Sequence, residues 1–326
     1  MIKKKVLRYS TILILLTLLI LIIATLCFFI LPHFRSAAKI RPAPVTFSPP
    51  ATEATTATTV TDQEVIRGHY ADPDVLQKSD GDWRLYFGTE PESTQGASTV
   101  YSAHSSDGVK WTLLQSSILT EASFPDAVLL SDGRIRLYFQ RAREIDSAIS
   151  SDGVNFTLEA GVRQSGHTGT EDSDGVAAPS VATLPDGTFL MAYRADVQGA
   201  YGPSSINKTT TSLFVASSGD GITWNKGSLV VDGRSTIFDG YVDGPEIFFT
   251  KDGLLHLRFW SPGARTSSPQ SNQYDLVSTD QGKTWSKPLP FLSDILGGDP
   301  TYAVTDQGIY LFYTRHGEGI YLRILK

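Results

Sequence analysis

The sequence predicts an all-β fold, a five-bladed β-propeller of four-stranded antiparallel blades preceded by an N-terminal transmembrane helix. Four observations predict it. A strand–turn–strand pattern occurs five times, with a lead proline at Pro73, Pro125, Pro179, Pro245 and Pro300 and a turn aspartate at Asp80, Asp132, Asp186, Asp252 and Asp306. Seven residues after each aspartate stands an aromatic, Phe87, Phe139, Tyr193, Phe259 or Tyr313. A second kind of turn, ending in Trp or Phe, recurs four times. Finally, Thr11 to Leu31 is a run of 21 residues without a charge.

Taking the elements in chain order, residues 1–10 form a basic N-terminus that would face the cytoplasm. Residues 11–31, rising ~1.5 Å per residue, are long enough to span a hydrocarbon core of about 30 Å. This is longer than the apolar part of a cleaved signal peptide, about 7–15 residues, so an uncleaved signal anchor is expected. Lys3, Lys4, Lys5 and Arg8 precede the run and Arg35, Lys39 and Arg41 follow it. The small excess before it places the following domain outside the cytoplasm, at a cell surface or in a periplasm. Residues 32–61 are a Pro/Thr/Ala-rich linker with no apolar period, which reads as a stalk.

Residues 62–326 make up the propeller. The first unit runs Tyr70-Ala-Asp72-Pro73-Asp74-Val75-Leu76, turns at Ser79-Asp80-Gly81, and returns through Trp83-Arg-Leu85-Tyr86-Phe87. A third strand follows at Thr99-Val-Tyr101-Ser-Ala103, and then one of the second turns. These turns read Ser106-Asp107-Gly108-Val-Lys-Trp111, Ser151-Asp152-Gly153-Val-Asn-Phe156, Ser218-Gly-Asp220-Gly221-Ile-Thr-Trp224 and Ser278-Thr-Asp280-Gln-Gly282-Lys-Thr-Trp285. Asp and Ser side chains bond nearby amides, Gly accepts positive φ, and the aromatic packs between units, so the turns are structural. Short strands repeating every 52–66 positions indicate propeller blades. The last unit stops after its third strand, Ile320–Leu325, and Glu64-Val-Ile-Arg67 is expected to supply the fourth and close the ring.

Composition narrows the function. The 326 residues are 41% hydrophobic and 10% aromatic, enough for a large core. The single cysteine, Cys27, lies in the apolar run, so the folded domain has no disulfide. Residues 1–61 carry seven Lys/Arg and one acid, a balance of +6; subtracting this from the chain's −6 leaves −12 on residues 62–326. With no basic stripe to offset it, that charge argues against a nucleic-acid partner.

In an antiparallel hairpin the head of the first strand lies beside the end of the second. One face of the ring therefore gathers Asp72 and Asp74; Asp126, Arg141 and Arg143; Arg194 and Asp196; Asp243, Glu246 and Trp260; and Asp299, Arg315 and His316. Long irregular segments at 161–175, 197–208, 232–241 and 261–273 reach the same face, where binding is expected. No His/Asp/Glu group has a spacing that reads as a metal set, and His104, His167 and His316 stand apart in sequence.

The Ala71-Asp72-Pro73-Asp74-Val75 opening, the five repeats and the ring of acids resemble the five-bladed glycosidases of glycoside hydrolase family 43, over roughly residues 62–326. The second turns are similar to the Asp boxes of sialidases, although the sialidase Phe-Arg-Ile-Pro motif and a sixth repeat are missing. The resemblance implies carbohydrate as the partner and a general base at an Asp before the first-blade proline, which Asp72 matches. It implies a second-blade Asp as pKa modulator, and here Phe124-Pro125-Asp126 places the acid after the proline. It implies a Glu before Gly-Pro in the third blade as general acid. That blade reads Val176-Ala177-Ala178-Pro179-Ser180, and the Gly-Pro appears one blade later in Val242-Asp243-Gly244-Pro245-Glu246. A central Ca²⁺ is implied only by the resemblance, and no other cofactor is expected.

Two functions are therefore open. One is a membrane-tethered, extracytoplasmic glycoside hydrolase with Asp72 as base, Asp243 or Glu246 as acid and Asp126 as modulator. Asp74, Arg141, Arg194, Trp260, Asp299 and Arg315 would bind substrate. The other is a propeller that binds carbohydrate, or a protein partner, without cleaving it, having lost the family acid.

Overall fold

The computed structural model describes residues 62–90, 98–166, 175–197, 210–238, 240–262 and 271–326. The expected transmembrane helix at 11–31, Cys27 and the linker at 32–61 lie outside the described residues, as does His167. Among the described residues no helix is long and apolar enough to cross a membrane.

Five antiparallel sheets form, one per repeat. Blade one comprises Tyr70–Ser79, Asp82–Thr89 and Thr99–Ser105, with a fourth strand in two pieces, Thr112–Leu113 and Leu119–Thr120. Blade two repeats this with Ser123–Leu129, Ile135–Arg141, Glu144–Ser150, Thr157–Leu158 and Gln164–Ser165. Blade three is Val176–Thr183, Phe189–Val197, Thr210–Ser218 and Ser228–Val231; blade four is Asp243–Phe249, Leu255–Ser261, Ser271–Ser278 and Leu289–Ile295. Blade five takes three strands from the C-terminal end, Gly298–Thr305, Gly308–Arg315 and Gly319–Leu325, and its fourth from Gln63–Arg67.

That last pairing closes the ring as the sequence predicts, with Glu64 opposite Tyr321 and Arg67 opposite Gly319. Ile66 is buried in the cluster that joins blades one and five. Asp62, one residue before the closing strand, accepts hydrogen bonds from Arg323 Nε at 2.6 Å and Arg315 Nη2 at 2.7 Å. Arg323 also reaches Asp294 of blade four at 2.8 Å, so the seam is tied to both neighbouring blades. Arg315, expected to bind substrate, is engaged at this seam and stacks over Tyr321.

The middle strands carry the largest fully buried side chains, among them Tyr86, Phe87, Tyr138, Phe139, Tyr193, Phe259, Phe312 and Tyr313. The second turns pack onto them across blade junctions: Trp111 meets Phe312 edge-on at 5.6 Å, Phe156 meets Tyr86 at 5.9 Å and Trp224 meets Tyr138 at 5.8 Å. The serine that ties the first two turns is Ser105 and Ser150, one residue before the Ser106 and Ser151 expected from sequence. Ser105 Oγ accepts from Gly108 N–H at 2.9 Å, and Ser150 Oγ accepts from Gly153 N–H at the same distance. Backbone N–H bonds hold the Asp220 carboxyl down to about 2, and hydrogen bonds from Thr284 do the same for Asp280.

Removing Asp62 would leave Arg315 without its carboxylate partner and Arg323 with Asp294 alone. We expect Asp62→Ala to cost about 3 kcal/mol in denaturant unfolding. A loss below about 0.5 kcal/mol, the scale of an exposed ion pair, would show that the clamp does not secure closure.

Candidate functional site

Every innermost strand carries the same irregularity at its head. In blade one Ala71 pairs with Gly88 and Asp74 with Tyr86, so Asp72 and Pro73 together oppose Phe87 alone. The same two-against-one bulge places Phe124-Pro125 opposite Phe139, Ala178-Pro179 opposite Tyr193, Gly244-Pro245 opposite Phe259 and Asp299-Pro300 opposite Tyr313. A bulge is where an inner strand tolerates a residue with no N–H. The residue before each proline adopts positive φ: 53° at Asp72, 49° at Phe124, 47° at Ala178, 53° at Gly244 and 50° at Asp299. Because Phe124 and Ala178 share it, the strain belongs to the architecture and does not single out Asp72.

The bulge turns the residue after each proline toward the axis, giving a ring of Asp74, Asp126, Ser180, Glu246 and Thr301. Each side chain accepts from the backbone of the next blade. Ala127 N–H donates to Asp74 Oδ2 at 2.8 Å, Val181 N–H to Asp126 Oδ2 at 3.0 Å, Ile247 N–H to Ser180 Oγ at 3.0 Å and Val75 N–H to Thr301 Oγ1 at 3.3 Å. Tyr302 N–H completes the circuit at Glu246. Glu246 is also held laterally, accepting from the hydroxyls of Ser180 and Thr301 at 2.9 Å each.

Three of the five ring members are acids, and oxygens of Asp74, Asp126 and Glu246 lie within 4.8 Å of one another. Burial pushes all three carboxyls up. Glu246 rises to about 7, its two hydroxyl donors offsetting part of the effect. Asp74 is raised well above the usual range by burial and the Glu246 charge, and Asp126 by burial and then by Asp74 and Glu246. Such a cluster is stable only when protons or a cation neutralise it. The donor set consists of oxygens alone, which suits a hard ion such as Ca²⁺ over zinc. The residues thus fit the central Ca²⁺ that the resemblance implies, through a cluster that sequence spacing did not reveal.

The ring floors a cavity of about 30 Å³, room for a water or two or one ion. Its walls are the five bulges, so Asp72, Phe124, Ala178, Gly244 and Asp299 line it above Asp74, Asp126 and Glu246. Asp72 is buried, its N–H donating to Thr314 Oγ1 at 3.1 Å and its carboxylate packed beside Gly88. A Cβ on Gly88 would sit 3.3 Å from Asp72 Oδ2; the other blades carry Gln140, Arg194, Trp260 and Thr314 at that position.

The remaining expected site residues lie off the axis. Asp243 does not line the cavity: Oδ2 accepts from Arg194 Nη1 at 2.5 Å and Tyr241 Oη at 2.6 Å, and Oδ1 from Gly244 N–H at 2.9 Å. Arg194 also stacks over Phe124, and Trp260 donates to Asp299 Oδ1 at 3.0 Å while meeting Tyr241 edge-on. Arg141 pairs with Asp146, Arg143 with Asp196, and His316 with Glu90. Of the four expected catalytic residues, the structure brings Asp72, Asp126 and Glu246 to one cavity and leaves Asp243 in an ion pair.

No protein-family model matches the chain, and no curated protein matches it. Solved structures do match in fold. A thermostable family-43 glycoside hydrolase superposes with a TM-score of 0.60 at 16% identity, covering 79% of this chain and 89% of its own. A GH43_1 enzyme from Xanthomonas citri complexed with xylose gives 0.59 at 16% identity, covering 82% and 90%. A structure from the GH130 family of mannoside phosphorylases, which contains glycoside hydrolases that target β-1,2 mannosidic linkages in Candida mannan, gives 0.58 at 15%, covering 79% and 84%. The chain thus has the five-bladed propeller fold of these glycoside hydrolases.

The axial cluster sets a direction for stability against pH. The folded pKa of Glu246 lies above its ordinary value of 4.5, so the native state binds the extra proton. That stabilisation is complete below about pH 4.5 and disappears as pH rises through about 7. For Glu246 alone this amounts to on the order of 3 kcal/mol. Melting temperature should fall between pH 5 and 8, and Glu246→Gln should flatten that fall; parallel slopes in the two proteins would refute a shared axial proton.

Proposed function

We propose that this protein is a membrane-tethered, extracytoplasmic glycoside hydrolase that cleaves a glycan by carboxylate acid/base chemistry. The observation that carries the reading is the meeting of Asp72, Asp126 and Glu246 at one cavity on the axis of a propeller fold shared with family-43 hydrolases. Asp72 is the base. The space left by Gly88 gives its carboxylate room to take a proton from water as the water attacks the anomeric carbon. Glu246 is the acid in the state where protons and not a cation neutralise the cluster: with its pKa at about 7 a large fraction of it holds a proton at neutral pH, for delivery to the leaving oxygen as an inverting displacement requires. Asp74 and Asp126 tune the acid by their proximity. Because the cavity is far smaller than a pocket of about 300 Å³, the sugar binds above it, against Phe124, Asp299 and the Tyr241–Trp260 pair.

A second reading, carbohydrate binding without cleavage, is favoured by one observation. Asp243, the residue ahead of Gly244-Pro245, is held in an ion pair by Arg194 and does not line the axial cavity, so the family's acid position is not filled by a free carboxyl. Tyr241 and Trp260 would then act as a stacking platform.

Release of reducing sugar across a glycan panel separates the two. Hydrolysis should fall at least about 10³-fold in Asp72→Asn with unfolding unchanged, and the first product should be the inverted anomer by NMR. Saturable binding with no turnover by the unaltered protein would establish the second reading instead. The tether makes its own prediction: the full chain should sediment with membranes, and removal of residues 1–31 should release it. A full chain that stays soluble would refute the anchor.

A further inference from the structure

A groove of about 790 Å³ opens between blade three and the second turn of blade four, on the ring face opposite the proline heads. It exists because one junction departs from the five-fold plan. Six residues after each turn aspartate the middle strand carries Tyr86, Tyr138, Ala192, Arg258 and Phe312. At three junctions that side chain is the aromatic on which the next blade's turn residue sits: Tyr86 under Phe156, Tyr138 under Trp224 and Phe312 under Trp111. The two tyrosines also donate to the turn glycine, Tyr86 to Gly153 O at 3.0 Å and Tyr138 to Gly221 O at 2.8 Å. Blade three offers Ala192 instead. The turn that should rest on it is one residue longer, with Gln281 inserted at φ 60°, and Gly282 is pressed against Leu190.

Trp285 therefore ends its turn without a ring partner among the described residues. Its covered indole N–H has no hydrogen-bond partner there either, whereas Trp111 and Trp224 donate to Gly108 O and Gly221 O at 3.2 Å. Trp285 forms one wall of the groove; Asn225, Lys226, Ser228, Lys283 and Asp186 supply polar groups around it. Lys226 and Lys283 are exposed, and Lys283 lies near enough to Asp186 to help hold its carboxyl below the usual range.

We propose that this groove is a second saccharide-binding site, separate from the axial cavity. A sugar ring has an apolar C–H face and a hydroxylated edge, and the groove answers both, with an indole face beside amide, hydroxyl and ammonium groups. Its volume falls within the roughly 300–1,000 Å³ of small-molecule sites and holds a short oligosaccharide. Acidic sugars gain in addition from Lys226 and Lys283. The site does not depend on the hydrolase reading, since nothing in the groove belongs to the axial cavity.

Calorimetric titration of the full chain with xylohexaose, a neutral probe, and with trigalacturonic acid, a carboxylated one, tests this. At least one should bind, and Asp72→Asn should leave that affinity unchanged. Ser228→Trp fills the groove from an exposed position and should weaken binding at least about tenfold. Trp285→Phe, which the fold accommodates since Phe156 holds the same position in blade two, should weaken it more modestly. If trigalacturonic acid is the tighter probe, Lys226→Ala should remove the difference. Failure of both probes to bind at about 10 mM would overturn the proposal, as would binding that Asp72→Asn removes and Ser228→Trp leaves intact. Loss of hydrolysis with groove binding retained would count against the axial mechanism alone.

Discussion

Five side chains at the axis, each accepting a hydrogen bond from the backbone of the next blade, hold the propeller at its narrowest point. Inner strands of neighbouring blades have no ladder between them, so the relay Asp74–Ala127, Asp126–Val181, Ser180–Ile247, Glu246–Tyr302 and Thr301–Val75 takes the ladder's place. Each bond contributes about 1 kcal/mol net, and losing an acceptor would strand a buried N–H at a larger cost. The relay is possible only because the head of every inner strand is bulged, and the proline and positive φ at each head follow from the bulge. Placing acids at three of the five relay positions then crowds charge on the axis. The same ring thus provides cohesion and a proton or cation reservoir.

Much of this was legible in the sequence. The recurrence of proline, turn aspartate and aromatic fixes blade count and strand order, and the aromatics at Phe87, Phe139, Tyr193, Phe259 and Tyr313 turn out to be the residues that each bulge opposes. The closing strand at Glu64–Arg67 was legible for the reason that an edge must be covered. The axial cluster was legible only as acids gathered on one face. Asp126 and Glu246 are 120 residues apart, and simple strand alternation puts the residues before and after a proline on the same face, so it does not tell Asp74, Asp126 and Glu246 from Asp72 and Asp299. The bulge at each head separates the two sets, and the signal that could have found the cluster was the shared offset of Asp74, Asp126 and Glu246 from their prolines. Asp243 fared the other way: its motif was visible, whereas the Arg194 that occupies it comes from another blade.

The two faces of the ring treat carboxyls in opposite ways. At the second turns, the exposed Asp220 and the half-buried Asp280 stay charged because hydrogen-bond donors surround them. On the axis, burial and crowding favour the protonated form of Asp74, Asp126 and Glu246. The first group resists protonation and the second resists deprotonation, so the turns stay charged at a pH where the axis still holds protons.

Blade five is assembled from segments about 250 residues apart, Gln63–Arg67 and Gly319–Leu325. At a synthesis rate of roughly 5–20 residues per second, the first of these waits some 10–50 s for its partner. Throughout that interval Ile66 has no core to enter, and the outer edge of the ring is an open template for any passing strand. Birth of this protein is therefore its most vulnerable moment: four blades can form while the chain is still emerging, but the circle, and with it the complete axial relay, comes into being only when the final strand arrives.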